Sequence, residues 1–272
     1  MAKKTSELAK RATEGADNQS LRARGIYLLP NLFTSAALFS GFFAIVSAMN
    51  SKYEQAAVAI FIAMVLDGLD GRVARMTNTQ SAFGAEYDSL SDMVSFGVAP
   101  ALIVYVWALK PLGKIGWIAA FIYCACAALR LARFNTKTED PLQDKRFFQG
   151  LPSPAAAALI AGFVWVSYEY GITGREIFFG AIEVQWLAWG LTVFAAGSMV
   201  CDLSFYSGKD INMKKSVPFV TILAIMLAFV LVSYSPPEVL FTVVLVYALS
   251  GYYFWIRSAA IGKAKKNQTQ DS

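Results

Sequence analysis

Four aspartates that interrupt an apolar sequence are the residues of this chain most suited to chemistry. Uncharged apolar runs flank them at residues 56–66 and 93–109, so we expect these carboxylates at membrane depth. An ionised carboxylate at the centre of a membrane helix costs about 2.5 to 3.5 kcal/mol, and such residues usually serve a function. The four are Asp67, Asp70, Asp88 and Asp92.

The spacing of the aspartates predicts a helical hairpin on which all four converge. We expect one helix, a turn around residues 77–83 and a return helix. In that arrangement Asp67 lies level with Asp92, and Asp70 lies level with Asp88. Within each helix the aspartates are three or four residues apart, so they share a face. The hairpin therefore predicts two pairs of carboxylates around one cavity.

Converging carboxylates in a chain without histidine favour magnesium, manganese or calcium over zinc or copper. Two divalent ions would balance four negative charges, and such a pair, about 3.5 to 4 Å apart, clamps phosphate oxygens during in-line displacement. Gly71, four residues after Asp67, would let a ligand approach the helix, and Arg75 would pair with phosphate. Gly84, four residues before Asp88, would do the same on the return helix.

Two other readings of the aspartates are open. In the first, the charges are merely solvated at the tip of a membrane hairpin. Asp67 lies nine residues before the expected helix end at Met76, or about 14 Å, which is too deep for a tip. In the second, the chain is an ion-coupled transporter, because membrane-buried acids also line ion pathways.

The motif resembles the signature of the CDP-alcohol phosphotransferase family. It reads Asp67-x2-Asp70-Gly71-x2-Ala74-Arg75-x8-Gly84-x3-Asp88-x3-Asp92. The resemblance implies two divalent cations, magnesium or manganese, bound by the four aspartates, with Asp92 as the general base. It also implies that Gly71 and Arg75 contact the CDP group, that Ser81 is a further nucleotide contact, and that the chain forms a homodimer.

The first apolar span opens with a polar motif near Pro30. Asn31 and Thr34 are three residues apart and present polar groups on one face near the membrane surface. A simple helix cap explains them. The family resemblance instead implies that they lie beside the nucleotide, because its first span often begins with a similar Pro-Asn-x-x-Thr.

A basic segment, RLARFN, follows the fourth apolar run. Arg130 and Arg133 share a helical face, with Asn135 beyond them, and GLPSPAAA begins at Gly150. The arginines suit either membrane-surface charge or a site for an anionic acceptor group, since arginine forks bind carboxylate and phosphate.

RLARFN and GLPSPAAA together resemble the phosphatidylserine synthase branch of the family, in its membrane-integrated type. That resemblance implies transfer of a phosphatidyl group from CDP-diacylglycerol to the hydroxyl of L-serine, giving phosphatidylserine and CMP. A phosphorylated acceptor, glycerol 3-phosphate or inositol phosphate, is the alternative within the same chemistry.

Composition predicts an all-α polytopic membrane protein with an active site inside the membrane, open to the cytosolic side. The 272 residues are 56% hydrophobic, with a mean hydropathy of +0.47, and apolar runs of about 20 residues predict eight spans. We expect a transmembrane domain at 26–258 between cytosolic tails at 1–25 and 259–272. The spans are 27–49, 53–76, 85–109, 115–135, 153–170, 184–205, 216–234 and 237–257.

Basic residues predict the orientation of these spans in the lipid bilayer. With the N-terminus inside, only Lys52, Lys110, Lys114 and Arg175 of the 24 Lys and Arg residues lie outside cytosolic segments. The positive-inside rule then predicts an inner-membrane protein with both termini and the active site cytoplasmic. The net charge of +5 is explained by this topology, so no nucleic-acid partner is expected.

Overall fold

The computed structural model describes residues 29–137, 147–172, 177–178, 182–206 and 219–270. Within these ranges the chain forms eight helices and two pairs of short antiparallel strands. The helices are α1 Leu29–Met49, α2 Tyr53–Thr77, α3 Ala82–Leu112, α4 Lys114–Lys137, α5 Ser153–Glu169, α6 Val184–Val200, α7 Phe219–Tyr234 and α8 Pro236–Gln270. The strands are β1 Phe147–Gln149, β2 Ile177–Phe178, β3 Ile182–Glu183 and β4 Ser204–Tyr206.

Each predicted span overlaps one helix, and the protein is a mainly helical membrane protein. Among the described residues, α1, α3, α4 and α8 are long and apolar enough to cross a membrane. The other four fall short of that description. α2 carries the charged stretch, while α5 and α6 have 17 residues each and α7 has 16, or about 25 Å of helix.

Two boundaries differ from the predicted ones. The sixth span was expected to reach residue 205, but α6 ends at Val200, because residues 204–206 pair as strand β4 with β1. The predicted C-terminal tail is helical to Gln270, as a continuation of α8. The N-terminal tail, residues 1–25, and the segment with Lys209, Lys214 and Lys215, counted as cytosolic, lie outside the described residues.

α5 is the most deeply buried helix and packs against α2, α6 and α8. It begins with Ser153-Pro154 after Pro152, and proline suits a first helical turn because its missing N–H has no intrahelical partner there. All residues from 156 to 162 are buried, and they are small or aliphatic. Small residues let membrane helices approach closely: a Cβ on Gly162 would lie 3.3 Å from Cα of Phe241 on α8.

α1 lies against both helices that carry the aspartates. Ser40 donates a 2.8 Å hydrogen bond to the carbonyl of Ala59 on α2. Ser95 on α3 donates to the carbonyl of Ala37. A Cβ on Gly41 would lie 2.7 Å from Cα of Ser95, so only glycine permits this backbone approach.

α3 contains a π-helical turn immediately after Asp92. It covers Met93–Val98, and a second one follows at Tyr105–Leu109. The hydroxyl of the fully buried Tyr123 on α4 donates a 3.1 Å hydrogen bond to the carbonyl of Phe96, which satisfies one polar group of the wide turn. Such single turns occur frequently at functional sites.

Candidate active site

The turn between α2 and α3 is short and built from local hydrogen bonds. α2 ends at Thr77, and Asn78 takes a left-handed conformation with φ 53°. Asparagine tolerates that conformation better than most residues. Ser81 caps α3 by accepting a 3.0 Å hydrogen bond from the Gly84 N–H. This turn returns the chain beside α2, at the position expected from the sequence.

The hairpin brings three aspartates to one point. One carboxylate oxygen from each of Asp67, Asp70 and Asp88 lies within 4.8 Å of the other two. Asp70 is 4% exposed, while the other two are half-buried. Such oxygens repel one another strongly in surroundings of low dielectric constant, so the group favours a bound cation.

Asp92 borders this group rather than completing it. Its carboxyl group interacts with that of Asp67, and the Asp88 carboxyl group interacts with those of both Asp70 and Asp67. The two pairs expected from the spacing are among these interactions. Asp92 is absent from the compact three-residue group and adjoins it through Asp67.

The described residues of the site fit a hard divalent cation. Every candidate ligand atom is a carboxylate oxygen, which is the donor that magnesium, manganese and calcium prefer. Oδ1 of Asp88 is buried and has no hydrogen-bond partner among the described residues. Because buried polar atoms are nearly always satisfied, this oxygen fits a metal ligand, and the group can hold a divalent metal.

Thr34 and Asn31 both reach the hairpin from α1. Thr34 is buried, and its hydroxyl donates a 2.8 Å hydrogen bond to Oδ2 of Asp70. Oδ1 of Asn31 would lie 3.5 Å from a Cβ on Gly84, close to the start of α3. The family resemblance implied that both lie near the nucleotide, and the structure brings Thr34 to Asp70 and Asn31 to the start of α3.

The predicted donor-binding residues have different surroundings. A Cβ on Gly71 would meet nothing within 4 Å, so the backbone there is open to a ligand. Arg75 is exposed, with Nε donating a 2.9 Å hydrogen bond to the Gly71 carbonyl. A Cβ on Gly84 would instead lie 3.1 Å from Oγ of Ser81, so that glycine also serves the helix cap.

Arg130 is the charged residue that α4 places beside the aspartates. It is 9% exposed, and Nη1 donates a 3.0 Å hydrogen bond to Oγ of Ser153 at the start of α5. Its charge interacts with that of Asp92. Nε is buried without a hydrogen-bond partner among the described residues. A buried guanidinium with a free donor suits an anionic group of a substrate.

Arg133 and Asn135 contact protein groups instead. Arg133 forms an ion pair with Asp202 and donates a 2.9 Å hydrogen bond to Oε1 of Gln149. Asn135 exchanges hydrogen bonds with Ser89, the neighbour of Asp88. Arg133 therefore connects α4 to the segments that form β1 and β4, and Asn135 connects it to α3.

Three hydroxyl residues at the site were missed in the sequence. They are Ser89, Ser91 and Ser153, which bond to Asn135, to the carbonyl of Thr34 and to Arg130 respectively. Ser89 and Ser91 alternate with the aspartates of α3, which was the available signal. The available signal for Ser153 was the sequence Leu-Pro-Ser-Pro, which marks a helix start after a basic segment.

Comparison with known proteins addresses the resemblance directly. Residues 27–194 match the family model described as CDP-alcohol phosphatidyltransferase, and this range is more than half of the chain. The chain belongs to the CDP-alcohol phosphatidyltransferase family. The matched range includes α1 to α5, the first part of α6 and every candidate site residue.

Two of three curated relatives resemble this chain over most of its length, and the third over about half of it. A protein of Helicobacter pylori (strain J99) is 36% identical over 85% of this chain and 92% of its own. One of Mycobacterium leprae is 33% identical over 84% and 75%. One of Saccharomyces cerevisiae is 38% identical over 47% and 50%. All three are named CDP-diacylglycerol–serine O-phosphatidyltransferase, which agrees with the branch predicted from RLARFN and GLPSPAAA.

Proposed function

We propose that this protein transfers a phosphatidyl group from CDP-diacylglycerol to the hydroxyl of L-serine, giving phosphatidylserine and CMP. The observation that carries the chemistry is the group of three carboxylate oxygens within 4.8 Å of one another on the hairpin. The acceptor rests on Arg130 and on the names of relatives that match most of the chain.

The metal site in this proposal takes two divalent cations, magnesium or manganese. Their ligands are Asp67, Asp70 and Asp88, with Asp92 contributing to the second ion. When bound, the cations neutralise the charge of the diphosphate and of the leaving CMP. The all-oxygen donor set and the unpartnered Oδ1 of Asp88 support this assignment.

The donor site extends from the aspartates to the turn of the hairpin. Gly71 lets the CDP group approach the backbone of α2, and its open surroundings support that role. Arg75, one turn later and exposed, pairs with a phosphate. Asn31, Ser81 and Gly84 border the nucleotide where α1 meets the start of α3. Thr34 acts on this donor site through its hydrogen bond to Asp70.

The reaction itself is an in-line displacement at phosphorus. Asp92 accepts the proton of the serine hydroxyl, and the serine oxygen forms a bond to the phosphorus that carries diacylglycerol. The bond from that phosphorus to the CMP oxygen breaks, and CMP leaves with Arg75 offsetting its charge. A positioned base of this kind contributes about 10²- to 10⁴-fold to the rate.

Arg130 holds the carboxylate of serine in this proposal. Its charge interacts with that of Asp92, so an amino acid bound to it would present its hydroxyl toward the base. A phosphorylated acceptor needs a larger basic pocket, whereas the neighbouring Arg133 is already paired with Asp202. Arg133 and Asn135 support the acceptor site indirectly, because they connect α4 to adjacent segments.

The same proposal includes an orientation in the membrane. Eight crossings, with both termini and the active site cytoplasmic in the inner membrane, agree with the positive-inside pattern and with a helix at each predicted span. A soluble acceptor and a lipid donor then meet at one interfacial cavity. A homodimer follows from the family resemblance.

Purified protein in vesicles containing CDP-diacylglycerol tests the function. With Mn²⁺ and labelled L-serine we expect labelled phosphatidylserine and equimolar CMP. Parallel reactions receive glycerol 3-phosphate or inositol phosphate instead. CMP release only with a phosphorylated alcohol would overturn the serine assignment, and ion flux without any CMP would favour the transporter.

A further inference from the structure

Thr34 touches both helices that carry the aspartates. Its hydroxyl donates to Oδ2 of Asp70 on α2 at 2.8 Å, and its carbonyl accepts a 3.2 Å hydrogen bond from Ser91 on α3. Ser91 is the residue before Asp92. Through one residue, α1 is therefore bonded to the ligand-bearing faces of α2 and α3.

The hydrogen bond from Thr34 holds one oxygen of the Asp70 carboxylate, Oδ2. A carboxylate held at Oδ2 has its second oxygen available, and Asp70 supplies one oxygen to the three-residue group. Thr34 is 3% exposed and Asp70 is 4% exposed, so water does not replace this contact readily. The carbonyl of Pro30, 3.1 Å from the hydroxyl, is the longer of the two contacts, and the charged carboxylate is the stronger acceptor.

We propose that Thr34 is a positioning residue for the metal site, which fixes the carboxylate of Asp70 so that its other oxygen is directed at the cation. This rests on the metal site of the proposed function. Residues that bond to a metal-ligating side chain typically change metal affinity by about 10- to 100-fold when they are removed. Thr34 would then act on the donor only through the metal.

Ser40 provides a matched control on the same helix. It is also a buried hydroxyl residue of α1 that bonds to α2 at 2.8 Å, but its acceptor is the backbone carbonyl of Ala59. Removing either hydroxyl breaks one α1–α2 hydrogen bond. Only the loss at Thr34 removes a hydrogen bond that holds a carboxylate in place.

Mn²⁺ binding to the purified protein without substrate, followed by the electron paramagnetic resonance signal of free Mn²⁺, tests the proposal. We expect Thr34→Val to weaken Mn²⁺ binding by at least about 10-fold, while Thr34→Ser and Ser40→Ala bind Mn²⁺ as the parental protein does. Unchanged binding in Thr34→Val would overturn the proposal. An equal loss in Thr34→Ser or in Ser40→Ala would also overturn it, because the effect would then not depend on the hydroxyl at Asp70.

Thr34→Cys keeps the test decisive if the valine variant does not fold. The cysteine side chain has nearly the size of the threonine side chain, but its thiol is a weak hydrogen-bond donor. We therefore again expect weaker Mn²⁺ binding. Parental affinity would contradict the proposal. Failure of the parental protein to bind Mn²⁺ would refute the metal site itself. A parental protein that binds Mn²⁺ but does not use serine would leave the role of Thr34 standing.

Discussion

Arg130 donates a 3.0 Å hydrogen bond from Nη1 to Oγ of Ser153, which ties the end of α4 to the first turn of α5. One turn later, Arg133 is paired with Asp202. Two arginines that share a helical face therefore have different surroundings. Arg130 is buried beside Asp92, whereas the side chain of Arg133 is 30% exposed.

Arg130→Lys is expected to raise the KM for serine by at least about 10-fold, because hydrogen bonds to charged groups contribute about 1.5 to 3 kcal/mol. Lysine keeps the positive charge but lacks the planar guanidinium group, which can donate two parallel hydrogen bonds to a carboxylate. The KM for CDP-diacylglycerol should change little. Initial rates at varied serine and fixed donor measure the effect.

Arg133→Lys is the matched control for that substitution. Its ion pair is partly exposed, and such pairs contribute about 0 to 1 kcal/mol, so we expect a small loss of thermal stability and a nearly parental KM for serine. A larger rise in this KM at Arg133 than at Arg130 would contradict the assignment of the carboxylate site.

Asp92→Asn is expected to reduce CMP release by about 10²- to 10⁴-fold, the usual contribution of a general base. Mn²⁺ binding should be largely retained, because the compact group consists of the other three aspartates. Asp88→Asn should instead weaken Mn²⁺ binding, since it alters a member of that group. Normal turnover in Asp92→Asn would show that the proton is accepted elsewhere.

Gly71→Ala is expected to weaken donor binding without harming the fold. A Cβ there meets nothing within 4 Å, and alanine stabilises a helix interior by about 0.5 to 1 kcal/mol relative to glycine. Gly68→Ala, whose Cβ also meets nothing within 4 Å, should give the same stabilisation with a parental KM for CDP-diacylglycerol. Equal rises in KM for both variants would remove the special role of Gly71.

Gly41→Ala is expected to destabilise the protein by about 1 to 3 kcal/mol, the usual cost of overpacking. Its Cβ would lie 2.7 Å from Cα of Ser95, so the backbones of α1 and α3 would have to separate. Thermal unfolding in detergent measures this. Gly190→Ala on α6, where a Cβ has open space, should show no such loss.

The hairpin was predictable because helical geometry alone pairs Asp67 with Asp92 and Asp70 with Asp88. A period of 3.6 residues and one short turn determine those pairs. The approximate positions of the eight helices were predictable for a similar reason, since apolar runs of about 20 residues indicate membrane-spanning helices. Both features depend on local sequence.

The contacts that were not predicted depend on packing between distant segments. Nothing near Thr34 indicates that its hydroxyl bonds to Asp70, 36 residues later. Strands β1 and β4 have only three residues each, which is too short for an alternating pattern to identify them. The end of α6 at Val200 was misjudged for that reason, because apolar residues continue beyond it.

The π-helical turn at Met93–Val98 means that the number of residues in this part of α3 matters to the structure. Each residue of an α-helix rotates the chain by about 100°, whereas the i→i+5 hydrogen bonds of a π-helical turn accommodate one more residue. Deleting one residue there would remove the wide turn and with it the position of the Phe96 carbonyl that Tyr123 bonds, while leaving every aspartate in the sequence. Homologous proteins that differ in length at this point would need a compensating change elsewhere in the helix.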